Sequence, residues 1–124
     1  MANIVTGNPE SSVNERRFLD GSHRGVVVLE SVVVGRGEYS PGWRWSEHAG
    51  KQTGKPSQNH IGYVLCGQMR IQSSDGQEVV VHPGEAFEVG AGHDAWVIGH
   101  TPCIALDFEH LGTDDRQMIE QGQG

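Results

Sequence analysis

Histidines are the residues of this chain best suited to chemistry at neutral pH. Three of the seven histidines fall where short apolar segments begin or end: His48, His60 and His93. Imidazole nitrogens bind Zn, Fe, Ni and similar ions, and three protein ligands that leave one coordination position open form a usable catalytic site. The residue types therefore permit a metal centre, although the three histidines are too far apart in sequence for their spacing to predict one.

Each of these histidines also has a plain structural interpretation. His48 can be a solvated strand end, His60 can hydrogen-bond a backbone carbonyl, and His93 can shape the turn in which it lies. Glu47 becomes a fourth candidate ligand only if the chain bulges, because adjacent side chains on a regular strand point to opposite faces. The remaining histidines flank turns or loops and are predicted to be surface residues: His23, His82, His100 and His110.

A second group of candidates lies just before His48. Trp43 and Trp45 alternate with Arg44, so both indoles share one face of a strand. They either fill the core or a subunit interface, or form the wall of a ligand pocket. Arg44 can hold a carboxylate or phosphate in two hydrogen bonds, or pair with one of the many acidic residues. The candidate ligand contacts are Arg44, Trp45 and Tyr63.

Nucleophilic catalysis finds little support in the sequence. Cys66 and Cys103 form no Cys-x-x-Cys motif and are too few for a disulfide framework, so buried thiols are the simplest interpretation. No Gly-x-Ser-x-Gly elbow is present.

Length and charge restrict the partners. The 124 residues suffice for a single domain, and a net charge of −7 argues against nucleic acid or an anionic membrane as the partner. No apolar run reaches the length of a membrane span, and the first residues lack the pattern of a signal peptide. The sequence thus predicts a cytoplasmic protein with a small-molecule ligand.

Strands must position the candidate residues. Val and Ile number 20 against 11 for Leu and Ala, and branching at Cβ favours strands over helices. Turn residues recur every 8 to 12 positions, a spacing typical of an all-β sandwich or barrel. The predicted strands span residues 25–34, 38–47, 60–72, 77–82, 86–89, 93–98 and 103–109.

The ends of the chain are poorly patterned. We predict an N-terminal arm over residues 1–20, a β-barrel domain over 21–112 and a C-terminal tail over 113–124. Residues 49–59 form a predicted loop, and residues 113–120 suit either a capped helical turn or disorder.

The segment that begins at His60 is apolar on both faces. Ile61, Tyr63 and Leu65 share one side, and Val64 lies on the other. A single antiparallel sandwich covers only the inner face, so the sequence predicts that an identical subunit covers the outer one. A homodimer is the expected assembly.

Three stretches together resemble the cupin superfamily. They are P-G-W-R-W-S-E-H at 41–48, H-I-G-Y-V-L-C-G-Q-M at 60–69, and the segment 83–97, which contains G-H-D-A-W-V. The chain resembles small bacterial cupin-domain proteins that carry these motifs, and the resemblance covers about residues 25–108. It implies a single-domain, all-β double-stranded β-helix (jelly-roll) barrel with a site in the barrel mouth.

The usual cupin metal site comprises a His-x-His pair, a Glu on the next strand and a His in the second motif. Here Gly50 stands at the second position of the pair, Tyr63 stands at the position of the Glu, with His60 three residues before it, and Ala95 stands at the last position. The resemblance therefore implies a partial cluster at the barrel mouth, made of His48, His60 and His93 with Glu47 beside it.

Two functions follow from this reduced ligand set. One is a metal-dependent enzyme that acts on a small organic substrate, with Zn, Fe, Ni or Mn held by the histidines. The other is a binding or sensing module that holds a small ligand without turnover. A barrel with an empty site is a third, weaker interpretation.

Overall fold

The computed structural model describes residues 4–11 and 14–111, and they form two packed antiparallel sheets. The six-stranded sheet has the order β1-β2-β3-β9-β4-β7, and the three-stranded sheet has the order β6-β5-β8. The strands are β1 (Glu15–Arg17), β2 (His23–Val28), β3 (Val32–Tyr39), β4 (His60–Cys66), β5 (Gln68–Gln72), β6 (Glu78–Val81), β7 (Ala86–Val89), β8 (Asp94–Ile98) and β9 (Cys103–His110). The all-β prediction is confirmed.

Alternation of side chains builds the core. Every second residue is buried from Gly35 to the end of β3 and along β8, and the two sheets pack through such inward-facing residues. The buried apolar cluster draws on both sheets: Phe18, Tyr39, Trp43, Ala49, Val64, Met69, Ile71, Val81, Ala95, Val97 and Cys103.

The predicted strand over residues 38–47 is wrong. Strand β3 ends at Tyr39, a turn follows in which Trp43 N donates to Ser40 O, and Trp45–Gly50 is π-helical before one α-helical turn at Lys51–Thr53. The segment is helical because it is held by a carboxylate that is distant in sequence. Asp94 accepts hydrogen bonds from the backbone N–H and the hydroxyl of Ser46. That contact cannot be read from local alternation.

Two other predicted strands are each divided into two. The first breaks near Ser31, between β2 and β3. The second breaks at Gly67, whose φ of 74° separates β4 from β5. A left-handed backbone at that position favours glycine, and a Cβ there would also meet the backbone of Cys103 at 2.8 Å.

The start of the chain packs against the larger sheet. Strand β1, which lies within the predicted N-terminal arm, pairs with β2, and a 3-10 turn at Pro9–Ser11 lies over Gly25. Arg36 pairs with Glu10 across this contact at 3.3 Å. The predicted C-terminal tail, 113–124, lies outside the described residues.

No helix in the described part of the chain is both long enough and apolar enough to cross a lipid bilayer.

Candidate functional site

A cavity of about 770 Å³ lies between the two sheets. Its volume suits a small organic molecule. Aromatic side chains line much of its wall: Phe18, Tyr39, Trp43, Trp45 and Phe87. Polar side chains from four strands or their ends also line it: Arg24, His60, His93 and Asp107. The cavity is the candidate site.

Arg24 and Asp107 form a buried ion pair in this wall. Arg24 Nε and Nη2 donate to the two carboxylate oxygens of Asp107 at 2.8 and 2.5 Å, and the Asp107 side chain is only 10% exposed. Space for the pair comes from Gly35, since a Cβ there would lie 2.5 Å from Asp107 Oδ1. Burial works to lower the pKa of Arg24, but the hydrogen bond and charge of Asp107 outweigh it and raise that pKa. Each charge neutralises the other.

His60 begins β4 beside this ion pair. Its ring stacks on Phe87, with centroids 5.8 Å apart and planes 4° from parallel, and its Nε2 lies 4.0 Å from Asp107 Oδ2. Burial is the largest influence and lowers the pKa of His60, although the Asp107 carboxylate opposes it. The imidazole is therefore neutral at pH 7.

His93 is held by its Nδ1 atom immediately before β8. Nδ1 lies 3.0 Å from Gly90 O and 3.2 Å from Ser57 Oγ. A carbonyl oxygen only accepts, and the Ser57 hydroxyl already donates to His93 O at 2.6 Å, so Nδ1 carries the hydrogen. Burial lowers the pKa of His93, which keeps the ring neutral with a lone pair on Nε2.

The structure brings His60 and His93 together, with ring centroids 5.8 Å apart at 63°. It places the other two predicted metal ligands elsewhere. His48 Nδ1 accepts a hydrogen bond from Arg44 N at 2.9 Å, and Glu47 is exposed. The π-helical conformation of this segment, in place of the predicted strand, is the reason.

The residues around the cavity do not fit a metal ion held by protein ligands alone. Within residues 4–11 and 14–111, no three His, Cys, Asp or Glu side chains form a group that holds an ion. Only two imidazoles are close together, and the nearby Asp107 carboxylate is engaged by a guanidinium. The described residues thus bring together fewer ligands than the three that a catalytic zinc site uses.

Of the three predicted ligand contacts, one lines the cavity. Trp45 is part of the wall. Arg44 instead pairs with Asp94 at 2.8 Å and lies over the Trp96 ring at 4.1 Å, which confirms the alternative of an ion pair with an acidic residue. Tyr63 lies on the outer face of β4 and is not part of the cavity lining.

Sequence reasoning missed Arg24, Tyr39 and Asp107. The sequence feature that could have indicated them is the pair Gly35 and Gly37 in β3. Both glycines are buried and face inward, so they leave room for large side chains beside the strand. The first makes room for the ion pair, and a Cβ at the second would overlap the Tyr39 ring. Alternating glycines on a buried strand face indicate side chains that lie flat against the sheet.

Solved structures share the fold of this chain. No family model matches the chain, and no curated protein matches it by sequence. KdgF from Halomonas sp. is 20% identical, with a TM-score of 0.61 over 93% of this chain and 99% of that one. An RmlC-like cupin from Shewanella frigidimarina is 15% identical, with a TM-score of 0.61 over 92% and 96%. A cupin-superfamily sugar phosphate isomerase from Silicibacter pomeroyi is 15% identical, with a TM-score of 0.60 over 84% and 74%. The chain has the jelly-roll fold of the cupin superfamily.

Proposed function

We propose that this protein binds a small, uncharged organic molecule in the cavity, and that His93 Nε2 accepts a hydrogen bond from a hydroxyl group of that molecule. One observation carries the proposal: the His93 ring lines the cavity while its Nδ1–H is fixed by Gly90 O. His93 Nε2 has no hydrogen-bond partner among the described residues, and it is accessible to solvent. A fixed acceptor in the wall of a cavity suits ligand orientation.

The rest of the wall favours an uncharged ligand. Arg24 and Asp107 neutralise each other, and both imidazoles are neutral at pH 7. The aromatic side chains supply apolar surface for the body of the ligand. The charged side chains of the lining balance in number, with three cations (Arg16, Arg24 and Lys55) and three anions (Glu88, Asp107 and Glu109). A charged ligand would lose its hydration without meeting a net counter-charge.

The first test compares para-butylphenol with para-butylanisole, which has a methyl ether in place of the hydroxyl. We expect the phenol to bind roughly tenfold more tightly by calorimetry, since one hydrogen bond contributes about 1.4 kcal/mol. His93→Leu should abolish this preference, whereas His82→Leu, at an exposed histidine, should keep it. Equal affinities for the two compounds in the wild type would reject the proposal even if the His93 variant fails to fold.

A metal-dependent enzyme is the second candidate, and one observation favours it. Histidines that ligate metals usually donate their other ring N–H to a carboxylate or backbone carbonyl, as His93 does to Gly90 O. His60 and His93 would be the ligands from the described residues, and solvent or substrate would have to fill the other coordination positions. The similarity to a sugar phosphate isomerase is compatible with an enzyme but concerns the fold.

Elemental analysis separates the two candidates. The protein is purified without a His-tag, and Zn, Fe, Ni and Mn are measured in the wild type and in His60→Ala. Near-stoichiometric metal that the variant loses supports the enzyme. No bound metal, and no uptake from added salts, supports the small-molecule site without metal.

We also propose a homodimer formed through the outer face of β4. Ile61, Tyr63 and Leu65 are 46%, 37% and 45% exposed in one copy, and together they form an apolar stripe. A second copy would cover this stripe through an isologous contact. We expect a dimer by analytical ultracentrifugation and a monomer for Leu65→Glu, with Val79→Glu, at an exposed apolar residue on the other sheet, as the control. A monomeric wild type at high protein concentration would contradict this.

A cytoplasmic location stays a prediction from the sequence.

A further inference from the structure

The imidazole of His60 lines the cavity, and neither of its ring nitrogens forms a hydrogen bond within the described part of the chain. Both nitrogens are accessible to solvent. Stacking on Phe87 holds the plane of the ring. Nε2 lies 4.0 Å from Asp107 Oδ2, which is too far for a direct hydrogen bond. An imidazole that is held in a cavity wall in this way is suited to contact a ligand.

The Asp107 carboxylate selects the tautomer of His60. Its two oxygens accept hydrogen bonds from the guanidinium of Arg24, and an ionised carboxylate has no hydrogen to donate. A lone pair on His60 Nε2 would face this negative charge, whereas an N–H there would be attracted to it. The neutral ring therefore carries its hydrogen on Nε2, and Nε2 is a donor.

One hydroxyl oxygen can bridge His60 and Asp107. An oxygen about 2.8 Å from both His60 Nε2 and Asp107 Oδ2 closes the 4.0 Å span between them with hydrogen bonds of ordinary length. It accepts from Nε2–H and donates its own hydrogen to Oδ2. A lone pair of Oδ2 is available for this bond, because among the described residues Oδ2 accepts only from Arg24 Nε. The two side chains thus form a site for a hydroxyl group.

This site and His93 together require two hydroxyl groups. His93 Nε2 and Asp107 Oδ2 are both acceptors, and a single hydroxyl group has only one hydrogen to donate. A second oxygen is therefore needed, and it must lie close to the first, since the ring centroids of His60 and His93 are 5.8 Å apart. Hydroxyl groups on adjacent carbon atoms meet both conditions.

We propose that the ligand is a vicinal diol, in which one hydroxyl group donates to His93 Nε2 and its neighbour bridges His60 Nε2–H and Asp107 Oδ2. This inference rests on the proposed function and names the class of ligand. The diol carries no charge, which agrees with the balance of charges in the lining. The Arg24 guanidinium holds the carboxylate in place for the bridge.

Three compounds that differ at one ring position test the inference. 4-Butylcatechol adds a second hydroxyl group beside that of para-butylphenol, and 4-butyl-2-methoxyphenol carries a methyl ether there, which cannot donate. We expect 4-butylcatechol to bind the wild type roughly tenfold more tightly than para-butylphenol by calorimetry, because it gains a hydrogen bond to a carboxylate. The methyl ether should lose this gain. The titrations are run under nitrogen, which prevents oxidation of the catechol, and both with and without EDTA.

His60→Phe is the matched variant, since a phenyl ring can stack on Phe87 but has no N–H. It should bring the affinities of 4-butylcatechol and para-butylphenol together. His100→Phe, at an exposed histidine outside the cavity lining, should leave the difference intact. A difference that persists in His60→Phe would contradict the bridge.

A spectroscopic readout needs no variant. Nitrogen-15 spectra of the histidine rings in the wild type should show the hydrogen of His60 on Nε2, with a signal that shifts when 4-butylcatechol is added. A hydrogen on Nδ1 would overturn the inference.

The outcomes separate this inference from the proposed function. Equal affinities for 4-butylcatechol and para-butylphenol, or an equal gain for the methyl ether, would overturn the diol and leave the proposed function standing. A gain that EDTA removes would do the same, because it would mark a metal complex of the catechol. If para-butylphenol shows no preference over para-butylanisole, the proposed function itself fails.

Discussion

Replacement of Arg24 by alanine is expected to lower the free energy of unfolding by about 3 kcal/mol. The substitution leaves the Asp107 carboxylate buried without its two hydrogen bonds from the guanidinium, and an uncompensated buried charge is strongly destabilising. Urea denaturation monitored by tryptophan fluorescence measures the change. The pKa of His60 should also rise, because the Arg24 charge lowers it and the Asp107 charge raises it.

Arg70→Ala is the matched control for this prediction. Arg70 pairs with Glu78 at 3.3 Å, but both side chains are well exposed. Such a surface pair contributes less than about 1 kcal/mol. If Arg24→Ala is no more destabilising than Arg70→Ala, the Arg24–Asp107 pair does not organise the cavity wall.

Gly37→Ala is expected to destabilise the protein by about 2 kcal/mol and to weaken the binding of para-butylphenol. The new Cβ would overlap the ring of Tyr39, which would then be displaced from its contact with Trp43. Overpacking of this kind costs about 1 to 3 kcal/mol. Near-ultraviolet circular dichroism should show the change in the aromatic cluster.

Whether Gly37→Ala raises or lowers the free energy of unfolding shows whether the Tyr39 ring rests on this glycine. In a strand, alanine is ordinarily more favourable than glycine by about 0.5 to 1 kcal/mol, so only the contact with Tyr39 makes Gly37→Ala destabilising. Gly90→Ala is the control, because a Cβ at that position meets nothing within 4 Å. A stabilised Gly37→Ala variant would show that the Tyr39 ring does not rest on this glycine.

Much of the fold could be predicted from the sequence because strands follow local patterns. The strand β7 was placed at its observed bounds, and β6, β8 and β9 within one residue. Alternation cannot reveal where a distant side chain competes for the backbone, as Asp94 does when it binds Ser46. The segment after Trp43 was therefore predicted as a strand and is helical.

The candidate site was predictable only where residue type and strand position coincide. His60 and His93 each mark the start of a strand at one end of the sandwich, and the sequence identified both. His48 has the same residue type, but the helical turn that holds it depends on contacts outside its own segment. Arg24 and Asp107 are 83 residues apart, and their pairing follows from the order of β2, β3 and β9 in the sheet.

A crystal structure with para-butylphenol tests the central claim most directly. The phenol oxygen is expected about 2.6 to 3.2 Å from His93 Nε2, the range of a hydrogen bond. The butyl chain should extend along the cavity toward Trp43. A phenol bound on the outer face of β4, against Tyr63 and Leu65, would contradict the account. So would a cavity that stays free of the compound while the protein binds it in solution.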